Sequence, residues 1–126
     1  MTPGIYHLII YLPSEIIIEI GKLGQFQFKA GYYVYTGSAM RGLESRITRH
    51  QRKQKRFHWH IDYLLHYGHI VDIIKHITTE HLECHFNKKI MSIPCCQIPV
   101  KGFGSSDCKC ITHLFFFDKK PEILNN

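Results

Sequence analysis

Apolar and polar positions first change their period just beyond Gly37-Ser38. Before that point the sequence falls into short β-like runs. Gly4 to Leu12 is rich in isoleucine and tyrosine and stops at Pro13, the pattern of a strand. Glu15 to Ile20 is a second such run, halted by Gly21-Lys22-Leu23-Gly24. Gln25-Phe26-Gln27-Phe28-Lys29 alternates polar and aromatic residues with period two, which predicts a half-buried strand. Tyr32 to Tyr35 reads as a fourth strand, broken by Gly37-Ser38. Short strands joined by glycine turns predict an antiparallel meander.

After that point, Leu43, Ile47 and His50 fall at helical spacing, with Arg46 beside them and Ser45, Arg49, Gln51 and Arg52 on the wet side. A second helix is predicted from His60 to His66, with Ile61, Leu64 and Leu65 inward and Gly68 closing it. His69 to Thr78 reads as a strand. Thr79 then suits the N-cap of a third helix whose inner stripe is Leu82, Phe86 and Ile90. Ser92 to Ser106 is irregular, and Ile111 to Phe117 reads as a last buried strand. The expectation is one α+β domain over residues 1–117, a small antiparallel sheet flanked by about three helices. A polar segment, 118–126, is read as a flexible tail.

Composition narrows the setting. The 126 residues suffice for one core and not for two. No segment approaches the roughly 20 apolar residues of a membrane span. The run from Ile5 to Leu12 lacks the basic lead and small-residue cleavage site of a signal peptide. Five cysteines, with Cys95 and Cys96 adjacent, do not make a closed disulfide framework, so a reducing, cytoplasmic setting is expected. The formal charge of +6 favours a polyanionic partner, although charge by itself does not separate nucleic acid from anionic lipid.

The chemistry-bearing residues are ordered along the chain. Gly4-Ile5-Tyr6 is followed by Tyr33-Val34-Tyr35-Thr36-Gly37-Ser38-Ala39, then by Arg46 and His50. Trp59-His60-Ile61-Asp62-Tyr63-Leu64-Leu65, Glu83-Cys84, Gly102-Phe103-Gly104-Ser105-Ser106-Asp107-Cys108, Cys110 and His113-Leu114-Phe115 complete the set. Taken together, these residues resemble the GIY-YIG nuclease superfamily, in its compact Uri-type branch, over roughly Gly4 to Phe117. The two tripeptides stand further apart here than in many members, and Thr36 replaces a frequent isoleucine.

The resemblance implies a GIY-YIG-like fold and a divalent-metal-dependent endonuclease that hydrolyses DNA phosphodiesters, with repair or recombination as the suggested setting. Its implied catalytic residues are Tyr6, Tyr35, Arg46 and His50, with Glu83 anchoring Mg2+ or Mn2+ and Glu80 the lesser candidate. Tyr6 is expected to position or deprotonate water with Tyr35 supporting it, and which phenol takes the proton stays open. A phenol is a weak base at neutral pH and needs cationic or metal help, while a guanidinium suits phosphate oxygens. Gly37, Ser38, His60 and Asp107 are possible supporting residues. The alternative is a nucleic-acid-binding module of the same fold that cuts slowly or not at all. A zinc-stabilised interaction domain is a third reading.

Three further groups carry expectations of their own. Arg49, Arg52, Lys53, Lys55 and Arg56, in the densest basic run, are expected to contact the DNA backbone. Cys108, Cys110 and His113, with Cys84 or His85, have metal-compatible atoms, yet four ligands are not evident from the spacing, so buried or supporting thiols are favoured over structural zinc. Trp59 is expected in the core, with His60 and Asp62 satisfying each other or the backbone.

Overall fold

The computed structural model describes residues 2–123. In chain order the elements are β1 (Gly4–Leu12), β2 (Ile16–Ile20), β3 (Gly24–Phe28), β4 (Gly31–Ala39), α1 (Leu43–Gln51), α2 (His60–Leu65), β5 (His69–Ile77), α3 (Glu83–Met91) and β6 (Leu114–Phe117). The fold is α+β: a four-stranded antiparallel sheet in the order β5-β1-β4-β6, a separate β2-β3 hairpin and three helices.

The expected meander is corrected here. β1 and β4 are almost wholly buried along their length, so both belong inside a sheet covered on two faces. The intervening hairpin alternates, with Ile17, Glu19, Gln25 and Gln27 exposed between buried Ile18, Ile20 and Phe28. It can cover only one face, so it leaves the sheet and lies over the core while β4 returns beside β1.

One face of the sheet, with Tyr6, Leu8, Ile10, Tyr33 and Tyr35, packs against Leu43 and Ile47 of α1, Ile61, Leu64 and Leu65 of α2, and the hairpin. The opposite face, with Ile9, Val34, Ile74, Phe115 and Phe117, packs against Ile90 of α3. That third helix begins at Glu83 and not at Thr79: the Thr78 hydroxyl instead accepts the Glu80 N–H at 3.0 Å in the preceding turn. Its buried positions are Asn87 and Ile90, while Phe86 stacks on His76 with ring centroids 4.0 Å apart.

Two strand boundaries differ from expectation and shape the site. β4 does not break at Gly37-Ser38 but runs to Ala39, because β1 keeps pairing with it as far as Gly4. Tyr6 and Tyr35 are therefore interior to their strands. β6 begins at Leu114 and not at Ile111, which is exposed, and pairs with β4 only from Tyr32 to Tyr35. Beyond Tyr35 no strand pairs with the outer edge of β4 among the described residues; Thr36 N–H donates to the His113 carbonyl at 3.1 Å, and side chains meet the Thr36 and Ser38 carbonyls.

Within the segment expected as a tail, Lys120 Nζ lies 3.4 Å from Asp72 and Ile123 packs against the second core; positions 124–126 lie outside the described residues. Among the described residues no helix is long and apolar enough to cross a membrane.

Candidate active site and an adjoining thiol cluster

A polar cleft of about 630 Å3 opens where β6 stops short. Tyr35, Gly37 and Ser38 of β4 form its floor, with Arg46 of α1 and His60 of α2 on one side. Glu83 of α3 and Asp107 reach it from the other. Residues from both layers meet here because, among the described residues, no fifth strand covers the open edge.

The register fixes the tyrosines. Tyr6 pairs with Gly37 and Leu8 with Tyr35, so the two phenols are diagonal neighbours on one face, with ring centroids 6.3 Å apart. Tyr35 lines the cleft, whereas Tyr6 sits behind it, buried against His50. Burial pushes both phenols well above their ordinary pKa, and the Arg46 guanidinium beside them acts in the opposite direction.

His50 Nε2 lies 2.7 Å from the Tyr6 oxygen, and His50 Nδ1 is buried without a partner. Burial lowers the His50 pKa to about 3, opposed by Asp62 and assisted by Lys55, Arg46 and Arg49, so the ring is neutral. A bare Nδ1 is an unpaired acceptor, which costs less than an unpaired buried N–H. The favoured tautomer thus donates Nε2–H to Tyr6, leaving the phenol proton free for another acceptor.

Arg46 donates from Nη1 to the Ser38 carbonyl on the open strand edge at 2.7 Å, and its guanidinium lies 4.4 Å from the centre of the Trp59 ring. Trp59 is held in turn by Asp62, whose Oδ2 accepts the backbone N–H groups of His58 at 2.7 Å and Trp59 at 3.0 Å. Arg49 also lies 4.4 Å from the Trp59 ring centre and forks onto buried Asp62 at 2.9 and 3.0 Å. Burial would raise the Asp62 pKa, but the Arg49 fork and the two N–H donors hold it below the usual carboxylate range. Trp59, expected in the core, is half-buried as a platform for two arginines. His60 and Asp62 do not bond each other; His60 Nδ1 accepts the Gly104 N–H at 2.9 Å.

The basic run divides. Arg49 is committed to Asp62. Lys53 donates to the Leu65 carbonyl at 2.8 Å and the Gly68 carbonyl at 2.7 Å, and Lys55 to the Arg49 carbonyl at 3.2 Å and the His50 carbonyl at 2.8 Å. The carbonyls of His50 and Leu65 are among those that helix ends leave free; that of Arg49 also accepts the Arg52 N–H, and Gly68 follows α2. Arg52 and Arg56 are the exposed arginines of the run.

Glu83 Oε2 lies 2.7 Å from His113 Nδ1, which is also 3.1 Å from the Thr36 carbonyl. Burial opposes protonation of His113, but the hydrogen bond and charge of Glu83 outweigh it, with help from the Thr36 carbonyl and Cys108, and lift its pKa to about 9. The carboxylate is about 30% exposed and is shared between this histidine and the cleft.

Immediately behind Glu83, the donor atoms of Cys84, Cys108, Cys110 and His113 all lie within 4.8 Å of one another. His113 Nε2 is 3.2 Å from Cys108 Sγ and 4.0 Å from Cys84 Sγ. Four ligands were not evident from the spacing; loop closure brings together four donors that could hold a metal ion, and His85 is not among them.

A family model described as a domain of unknown function, DUF123, matches residues 5–126. The chain belongs to the DUF123 family. No curated protein and no solved structure matches it. In this DUF123 chain, Arg41 and His81 also line the cleft, two residues that reading the sequence did not single out. Arg41 follows β4 in a turn and His81 precedes α3, so neither carried a periodic signal. The Cys-x-Cys pair at 108 and 110 was the visible trace of the thiol cluster.

Proposed function

We propose that the cleft hydrolyses phosphodiesters and that the chain is a divalent-metal-dependent endonuclease of the GIY-YIG type acting on DNA. One observation carries this reading: Tyr35, Arg46 and Glu83 come from a strand and two helices in different layers, yet they line one polar cleft with Tyr6 and His50 directly behind. Arg41, Arg46 and the nearby Arg52 and Arg56 suit the polyanionic backbone.

Phosphodiester hydrolysis requires an activated water, charge stabilisation on the phosphoryl oxygens and help for the departing oxygen. Arg46 is held by Ser38 and Trp59, so its guanidinium meets a phosphate oxygen without first having to be ordered. His50 holds the Tyr6 oxygen and leaves the phenol proton available, while Tyr35 presents its ring to the cleft. Through these contacts the two phenols orient the attacking water, and Tyr6 would take a water proton at its oxygen while giving its own to a phosphoryl oxygen. Glu83 offers a hard oxygen donor in an open polar cleft, which fits Mg2+ or Mn2+ carrying much of its own water. Such an ion supplies Lewis acidity and an acidified water when bound.

A second reading is favoured by one observation, the burial that keeps both phenols protonated. It is a module of the same fold that binds nucleic acid without cutting it. Supercoiled plasmid, single strands and branched duplexes, incubated with Mg2+, Mn2+ or chelator, separate the two. The nuclease reading expects cleavage that needs the ion, and an Arg46→Ala loss on the order of a thousandfold by analogy with arginine fingers. Tight binding without cleavage under every condition would install the second reading instead.

A further inference from the structure

We infer that Cys84, Cys108, Cys110 and His113 form a closed, four-coordinate zinc centre that fixes the position of Glu83. This stands on the geometry of the four donors and does not depend on the nuclease reading.

The donor set selects the ion. Three thiols and one imidazole are soft and borderline ligands, the set used by structural zinc sites, whereas Mg2+ and Ca2+ take oxygen. Zinc–sulfur bonds of about 2.3 Å give a tetrahedron with edges of roughly 3.7 Å. Donor atoms already within 4.8 Å of one another need close only by about 1 Å to reach it. All four positions would be filled by protein, which makes the centre structural and distinguishes it from the open, oxygen-bearing cleft next door.

The surrounding chain is arranged to hold such a centre. Cys84 lies in the first turn of α3, and the other three ligands lie in the loop that leads into β6. Gly102 and Gly104, with φ of 80° and 68°, turn that loop. It is pinned by the bonds from Gly102 N–H to the Ile111 carbonyl and from His113 N–H to the Phe103 carbonyl, both 2.8 Å. Asn87 Nδ2, on α3, donates to the Thr112 carbonyl at 2.7 Å. The loop has no regular strand until Leu114, so a metal staple would replace the ladder it lacks.

His113 has the arrangement expected of a metal-bound imidazole. Nε2 faces the thiols, and Nδ1 lies 2.7 Å from Glu83 Oε2, the partner that fixes the tautomer and orients the ring. On binding, the three thiols and the Nε2–H of the charged imidazole release their protons to water, zinc takes the sulfur and Nε2 lone pairs, and Nδ1 keeps its proton for Glu83. The same imidazole thus ties the zinc centre to the carboxylate of the cleft.

The test uses the full chain purified under reducing conditions. Elemental analysis should find one zinc per chain. The Cys108→Ser/Cys110→Ser pair should lose it, and Cys95→Ser, an exposed thiol outside the cluster, should keep it. Because the double variant can fail to fold, unmodified chain stripped of metal is also titrated with Co2+. A tetrahedral visible spectrum with thiolate charge transfer, abolished by competing zinc, is the expected result. Glu83→Gln should weaken zinc binding about 10-fold or more. Stoichiometric iron in place of zinc, absence of the cobalt–thiolate band, or full zinc retention by the double variant would overturn the centre. Unchanged zinc affinity in Glu83→Gln would overturn its link to Glu83.

Discussion

Tyr6 and His50 share a buried 2.7 Å hydrogen bond across 44 residues of sequence, joining the central strand to the last turn of α1. The remaining imidazole nitrogen has no partner among the described residues, so this contact is the one side-chain bond the ring makes to them. The two residues should act as one unit. If the cleft cuts phosphodiesters as proposed, Tyr6→Phe and His50→Gln should each lower the cleavage rate by about 100-fold or more, the range for a lost proton-transfer group. The double variant should lose little beyond the worse single, measured as a double-mutant cycle on kcat/KM. Fully additive losses would show that the two side chains work separately.

Gly37 is explained by the same register. A Cβ there would run into the ring and hydroxyl of Tyr6, its direct cross-strand partner. Gly37→Ala must push the ring away or part the strands. We expect a loss of about 1–3 kcal/mol in denaturant unfolding, in the range for overpacked cores. An unchanged midpoint would mean that the pair yields freely.

Arg49→Ala should be more severe, because it strands a carboxylate with no solvent exposure. Asp62 would keep its two backbone donors but lose both guanidinium bonds. Breaking one side of a buried pair costs about 3–5 kcal/mol, whereas Asp62→Asn with Arg49→Met should recover part of it. Urea titrations of both variants check this. A change below 1 kcal/mol in Arg49→Ala would place the pair among weak surface bridges.

The elements with local signals were legible in the sequence. β1, the β2-β3 hairpin, α1 and α2 follow from period and punctuation, and the tyrosine, arginine, histidine and glutamate positions from the ordered motif. Three features were not. The return of β4 beside β1 depends on which strands can be buried on both faces, which emerges only once both layers are in place. The thiol cluster joins Cys84 to residues more than 20 positions away, and no local period records a closed loop. The basic run looked uniform because its charges were visible while the helix ends that consume Lys53 and Lys55 were not.

Acid should weaken the fold before its carboxylates titrate. His7 and His50 both have pKa values lowered to about 3, chiefly by burial, with His76 adding to the effect at His7. Unfolded, each takes a proton near pH 6.5; folded, each resists until about pH 3. The share of stability carried by these two histidines is therefore full above pH 6.5 and falls as pH drops towards 3, by roughly 1.4 kcal/mol per pH unit for each. His113, held charged by Glu83, acts in the opposite sense: its share is full below pH 6.5 and is lost as pH rises through about 9. His60 and His76 shift in the same direction. The Asp62 ion pair contributes above the ordinary carboxylate pKa and is lost only as pH falls through its lowered value. Unfolding free energies at pH 7, 6 and 5 should fall progressively, and His7→Gln should show a shallower slope than the parent. Equal slopes would remove His7 as a source.

Salt dependence separates the cations that face solvent from those that hold the fold. Arg52, Lys53 and Arg56 are all exposed and Lys55 is half-buried, but the ammonium groups of Lys53 and Lys55 are bound to the carbonyls of Leu65, Gly68, Arg49 and His50. If the arginine pair meets duplex phosphates, Arg52→Ala with Arg56→Ala should flatten the plot of log affinity against log salt by about 0.9 per arginine. Lys53→Met with Lys55→Met should instead leave that slope nearly unchanged and lower the melting temperature, because carbonyls at two helix ends lose their donors. Fluorescence anisotropy on a fixed duplex at several salt concentrations, paired with thermal melts, measures both quantities. Flattening by the lysine pair with no change in melting would reverse the assignment, because ammonium groups bound to backbone carbonyls would then have to be the ones that release counterions.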